Sequence, residues 1–103
     1  MITVKKVFEK DGKSVFQAYD KNILGEVIVE NNRIVSEQMA SQNSIIYRDF
    51  MLRSVVYLLS AEFDEVRIGY KDDYYKTLGF IEDEDGMKQR SDLIVFPSAC
   101  GGH

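Results

Sequence analysis

Near residue 40 the chain changes period, and that change limits its fold more than any other feature. Before it, short apolar segments alternate with turn residues and read as strands. Ile2 to Phe8 is rich in β-branched residues, although Lys5 and Lys6 break strict alternation. Asp11-Gly12 supplies the positive φ of a tight hairpin turn, and Ser14 to Tyr19 returns as a second strand. A polar break at Asp20 to Asn22 leads into Ile23 to Glu30, where Val27-Ile28-Val29 marks a well-buried strand. Asn31-Asn32 is the next turn, because asparagine tolerates the left-handed region, and Arg33 to Ala40 is the fourth strand. Four strands on short connections predict an antiparallel meander.

After residue 40 the spacing becomes helical. Ile45, Leu52, Val55, Val56, Leu59 and Phe63 fall on one face of a 3.6-residue helix, with Asn43 or Ser44 as N-cap. Phe50, Met51 and Leu58 widen the stripe, so the helix must lie against a sheet and touch a second element. Glu65 to Tyr70 is a fifth strand, and strand–helix–strand predicts a parallel, right-handed crossover. Asp72 to Leu78 is a short second helix capped by Asp72 or Asp73 and closed by Gly79 in a left-handed C-cap. Phe80 to Glu84 and Leu93 to Phe96 make a last hairpin around Asp85-Gly86, and Pro97 stops it. The expected fold is α+β, a mixed, mostly antiparallel sheet in the order ββββ-α-β-α-ββ. It forms one domain over residues 1–97, with a mobile tail at 98–103. Phe16, Tyr19, Phe50, Tyr57, Phe63 and Phe80 are expected in its core.

Charge and composition exclude several roles. Thirteen basic against seventeen acidic residues give a net charge of −4, with no concentrated positive patch for nucleic acid. No run of about 18 apolar residues is present to span a membrane, and Met1 to Lys6 does not read as a signal peptide. A single cysteine allows no internal disulfide, which fits a cytoplasmic protein. Cys100 and His103 on a glycine-rich tail supply two of the four ligands a zinc site wants, so no metal is expected.

The most informative stretch is Tyr74-Tyr75-Lys76-Thr77-Leu78-Gly79-Phe80. It resembles the aromatic-Tyr-x-x-Leu-Gly-Phe signature of the GNAT superfamily of N-acetyltransferases. Phe63-Asp-Glu-Val-Arg-Ile is similar to the approach to that family's fifth strand, and the likeness spans roughly residues 23–96. The resemblance implies acetyl transfer from acetyl-coenzyme A to a primary amine of a small molecule or peptide. It implies that the fourth strand splays from the fifth and that backbone groups of Met39, Ala40 and Ser41 pair with pantetheine. The pyrophosphate would meet the helix start at Gln42, Asn43, Ser44, Ile45, Ile46 and Tyr47, where free N–H groups favour an anion. Tyr75 falls on the tyrosine that protonates the departing thiolate. Three features depart from the family pattern. Ile45 and Tyr47 stand at its two phosphate-loop glycine positions, the segment from Ile68 to Tyr74 is short, and the two helices after the first strand are missing.

Each candidate has a second, structural reading. Tyr75 is either the general acid or an aromatic anchor for a short helix. Glu37, on a face with Val35 and Met39 if alternation holds, is either the base for an ammonium or an exposed charge. Asn43, Ser44 and Arg48 either hold an anion, with Arg48 as a bidentate phosphate partner, or cap and solvate the helix start. Asp72, Asp73 and Glu82 to Asp85 either attract a cationic amine or form a solvated acidic tip. Two functions follow: an acetyl-coenzyme A-dependent N-acetyltransferase, or a catalytically inactive GNAT-fold interaction or oligomerisation module. In the second, the sheet surface left bare by the missing helices is covered by a partner, most simply in a homodimer.

Overall fold

Turn chemistry dictates how the first four strands follow one another. In the computed structural model, which describes residues 1–40 and 45–97, β1 (Thr3–Lys10), β2 (Lys13–Asp20), β3 (Asn22–Glu30) and β4 (Arg33–Met39) form the expected antiparallel meander. Asp11 and Gly12 take φ 53° and 83°, the two positive values a tight hairpin turn requires. Asn31 takes φ 54° and donates its N–H to the Gly12 carbonyl at 2.7 Å, joining the two turns at that end of the sheet. Between β2 and β3 the polar break becomes a sharp bend with Lys21 at φ 69°.

The α-helix, α1 (Ile45–Glu62), crosses from β4 to β5 (Glu65–Ile68), which lies parallel to β4 as expected. Phe16 and Ala18 of β2, Val27 and Val29 of β3, Ile34 of β4, and Val66 and Ile68 of β5 are buried together on one side of the sheet. Met51, Leu52, Val55, Val56 and Leu59 of α1 close over them. This is the main core, and burying each such side chain is worth about 1.5–3 kcal/mol.

Two parts of the second half differ from expectation. The predicted second helix is a 3-10 turn, Asp73–Leu78. Asp72 caps it, accepting from the Tyr74 N–H at 2.9 Å, and Gly79 ends it at φ 91°. Six residues whose two buried members, Tyr75 and Leu78, sit three apart suit the three-residue period of a 3-10 turn. The last hairpin pairs β6 (Ile81–Glu82) with β7 (Met87–Arg90), not with Leu93–Phe96. β7 also pairs with β5, so the full order is β1-β2-β3-β4-β5-β7-β6. Met87 and Gln89 face the core side and Lys88 and Arg90 the other. A strand with one apolar residue in four carries almost no alternation signal. Leu93–Phe96 follows a second short turn, Ser91–Leu93, and its Val95 N–H donates to the Leu78 carbonyl at 2.9 Å.

The aromatic core is also smaller than expected. Phe16 and Phe80 are buried and Phe63 is half-buried just past the helix. Tyr19 lies across from Thr3 on the opposite face of the sheet, half-buried beneath the Lys5 ammonium at 5.6 Å. Phe50 and Tyr57 point outward from α1, 41% and 60% exposed, as do Leu58 at 42% and Ile45 at 89%. Among the described residues no helix is long and apolar enough to cross a membrane.

Candidate functional site

The parallel pairing of β4 with β5 is brief. Arg33 lies opposite Arg67 and Ile34 opposite Ile68, and the Gly69 N–H donates to the Ile34 carbonyl at 2.7 Å. β4 continues to Met39, whereas β5 ends at Ile68 and the chain turns through Tyr70 to Asp72. The strands therefore part on the side where a pantetheine arm was expected.

A bulge in β4 sets what faces this wedge. Ile28 lies opposite Ser36, but its neighbour Val29 lies opposite Ile34, leaving Val35 as the extra residue. Bulges shift side chains between faces. Glu37 thus shares the helix-covered face with Ile34 and Met39, and not with Val35 as simple alternation predicts.

On that face Glu37 meets Arg48 from the first turns of α1. Arg48 Nη2 donates to Glu37 Oε1 at 2.6 Å and Nε to Oε2 at 3.1 Å. The same Nη2 reaches Asp72 Oδ2 at 2.8 Å. Tyr70 donates its hydroxyl to Glu37 Oε1 at 3.2 Å and lies 2.8 Å from the Tyr75 hydroxyl. A carboxylate only accepts, so the Tyr70 proton goes to Glu37 and Tyr75 must donate to Tyr70. The chain of donors runs Tyr75 to Tyr70 to Glu37, and Arg48 clamps the carboxylates of Glu37 and Asp72. Arg48 also lies 5.3 Å from the Tyr74 ring, and the Tyr74 hydroxyl donates to Asp49 Oδ1 at 2.8 Å.

Electrostatics follow from this closure. The hydrogen bond to Glu37 outweighs burial and holds the Arg48 guanidinium pKa above its ordinary value. Burial, with the Tyr70 hydroxyl beside it, pushes the Tyr75 phenol far up; burial also raises Tyr70 and Tyr74. Tyr75 has 0% exposure, with its ring edge-on to Tyr70, Tyr74 and Phe80 at 5.9, 5.3 and 5.8 Å.

Glu37, Arg48 and Tyr75 are thus brought together. Ile45 and Ile46 project into solvent and Tyr47 is partly exposed. The Ala40 N–H, expected at pantetheine, donates to Leu24 on β3 at 2.8 Å. Ser41, Gln42, Asn43 and Ser44 lie outside the described residues, as does the tail at 98–103. Three of the acidic candidates are paired locally: Lys76 bridges Asp73 and Glu82, and Arg67 reaches Asp83 at 3.4 Å. Among the described residues no three metal-binding side chains are grouped. Tyr70 was not singled out in the sequence; only Arg48, which needs an anion, signalled the network, and its anions are the chain's own.

A second feature lies on the outer surface of α1. Ile46, Phe50, Ser54, Tyr57 and Ala61 repeat at helical spacing on the side away from the sheet, and all but the half-buried Ser54 are exposed. The Tyr57 ring meets Phe96 edge-on at 5.7 Å. Beside them Arg53, Ser54, Tyr57, Leu58, Phe96 and Val4 line an open depression of 390 Å³. The neighbouring charge, Arg53, is held by Asp49 at 3.3 Å and by the Pro97 carbonyl. No family model matches the chain, and no curated protein or solved structure matches it either.

Proposed function

We propose that this chain is a non-catalytic interaction module that keeps a GNAT-like arrangement and works through the outer face of α1. The observation that carries the reading is the helix itself. Its apolar side chains occupy two opposite faces, so an outward face bearing Ile46, Phe50 and Tyr57 lies in water opposite the buried one. A helix with apolar side chains on two opposite faces belongs between two layers, and only one layer is supplied by this sheet. The chemistry of the wedge points the same way. Both Glu37 oxygens are occupied by Arg48 and Tyr70, and the Tyr75 hydroxyl is enclosed and directed at Tyr70.

The parting of β4 from β5 favours a second reading, acetyl transfer from acetyl-coenzyme A to an amine. There the amine nitrogen attacks the thioester carbonyl, the C–N bond forms and the C–S bond breaks. Glu37 would take the ammonium proton and Tyr75 would protonate the leaving thiolate, which requires the Arg48 clamp to open. A thermal melt with and without millimolar coenzyme A separates the two. A ligand at about 100 times its Kd adds roughly 2.7 kcal/mol, several degrees for a domain this size. No shift is expected; a shift of that size, with amine turnover lost in Tyr75→Phe, overturns the module reading.

A further inference from the structure

We infer that the partner on the outer face of α1 is a second copy of this chain, packed helix to helix and antiparallel about a two-fold axis near Ser54. The inference rests on the module reading and names its partner. Positions 46, 50, 54, 57 and 61 read almost the same from either end, so an antiparallel copy sets Ile46 opposite Ala61 and Phe50 opposite Tyr57. Large meets small at the ends and ring meets ring between them, with the small Ser54 allowing close approach at the crossing.

The depression beside Tyr57 fits this geometry. In knobs-into-holes packing a side chain enters a hole made by residues i, i+3, i+4 and i+7. Ser54, Tyr57, Leu58 and Ala61 have that spacing, and the first three line the depression. In the antiparallel arrangement the incoming knob at that level is Phe50 of the second copy.

Charge agrees. No charged side chain lies in the stripe, and Arg53 at its border is already neutralised by Asp49, so closing the face strands no ion. A standard stable interface buries about 800 Å² per partner, and Ile46, Phe50, Tyr57 and Leu58 of α1, with Phe96 against Tyr57, supply the exposed apolar side chains for such a contact. A two-fold contact uses the same patch on both copies and closes without leaving another exposed.

Sedimentation equilibrium from low micromolar to submillimolar concentration tests this. The expected species is twice the 11.9 kDa chain mass, shifting to the chain mass at least tenfold more readily on dilution in Phe50→Glu. Because the side chain is exposed, Phe50→Glu keeps the wild-type circular dichroism. As a check independent of that variant, Ser54→Cys with Cys100→Ser forms a disulfide-linked dimer on mild oxidation, whereas Ser36→Cys with Cys100→Ser, on the opposite sheet face, does not. Wild type that stays at chain mass throughout, or a dimer that Phe50→Glu leaves intact and Ser54→Cys does not crosslink, overturns the inference. A monomer without a coenzyme A shift removes only the second copy, whereas a coenzyme A shift with turnover removes the module reading itself.

Discussion

Arg48 grips Glu37 through two hydrogen bonds, 3.1 Å from Nε and 2.6 Å from Nη2, at the level where β4 has lost β5 as its neighbour. The pair ties α1 to the free half of β4, and Asp72 extends it to the turn after β5.

Arg48→Ala leaves two carboxylates facing each other with no cation between them. The Glu37 and Asp72 side chains are 15% and 35% exposed, so water screens part of the repulsion. The expected loss is about 2–3 kcal/mol, or roughly 10 °C in Tm for a domain of this size. Arg48→Lys recovers less than half of it, because an ammonium cannot make the two-pronged contact. Equal stability of wild type and Arg48→Ala by urea unfolding would show that the clamp carries no load.

Stability falls steeply in alkali. Burial raises the Tyr75, Tyr70 and Tyr74 phenols above the value of about 10 they have in the unfolded chain. Below that pH both states hold all three protons and stability is full. Above it the unfolded chain releases protons that the folded chain retains, so folding weakens by up to about 1.4 kcal/mol per pH unit through the sealed Tyr75, and by a smaller amount through the partly exposed Tyr70 and Tyr74, where water screens the shift. Urea midpoints measured from about pH 9 to about pH 11 check this, and Tyr75→Phe flattens the slope by at least about a third. A slope identical in wild type and Tyr75→Phe contradicts the burial of that hydroxyl.

Gly86→Ala is expected to be more damaging than Gly79→Ala. A Cβ on Gly86 would sit 2.0 Å from the Ile68 carbonyl oxygen and 3.0 Å from the Tyr70 nitrogen, both backbone atoms of the chain leaving β5. Relief requires β5 and β7 to separate at Ile68 and Met87, costing about 3–4 kcal/mol. A Cβ on Gly79 would meet Leu93 and Val95 at ordinary contact distances of 3.5 Å and more, so the substitution loses only the ease of φ 91°, about 1–2 kcal/mol. Reversal of that order in thermal melts is inconsistent with the packing of the last hairpin.

Leu52 and Leu58 lie on one helix, yet truncation separates them. Leu52→Ala empties a fully buried site and costs about 2–5 kcal/mol, whereas Leu58→Ala, with 42% of the side chain in water, costs about 1 kcal/mol in the dilute chain. Urea midpoints at low micromolar concentration compare them.

The strand order of the first half, the long helix and the parallel return were legible because each is a local or periodic signal. Asp11-Gly12 and Asn31 impose their turns alone, and α1 announces itself by spacing. Strand β7 was not legible, since only Met87 of its four residues is apolar and the nearby Leu93–Phe96 competes for the assignment. Glu37 and Arg48 stood out by residue type, but the bulge at Val35 that aims Glu37 at the helix depends on how two strands align. Phe50 and Tyr57 were expected inside because a helix with apolar side chains on opposite faces does not say which of them meets the sheet.

By itself, the order of residues determined where the four strands of the first half, their turns and the long helix form, because φ preferences and hydrophobic period act within a few neighbours. Tertiary packing alone decided that Arg48 finds its anions in Glu37 and Asp72, that the Tyr75 hydroxyl is sealed against Tyr70, and that Tyr57 faces water. Those outcomes depend on distances between segments that lie far apart along the chain.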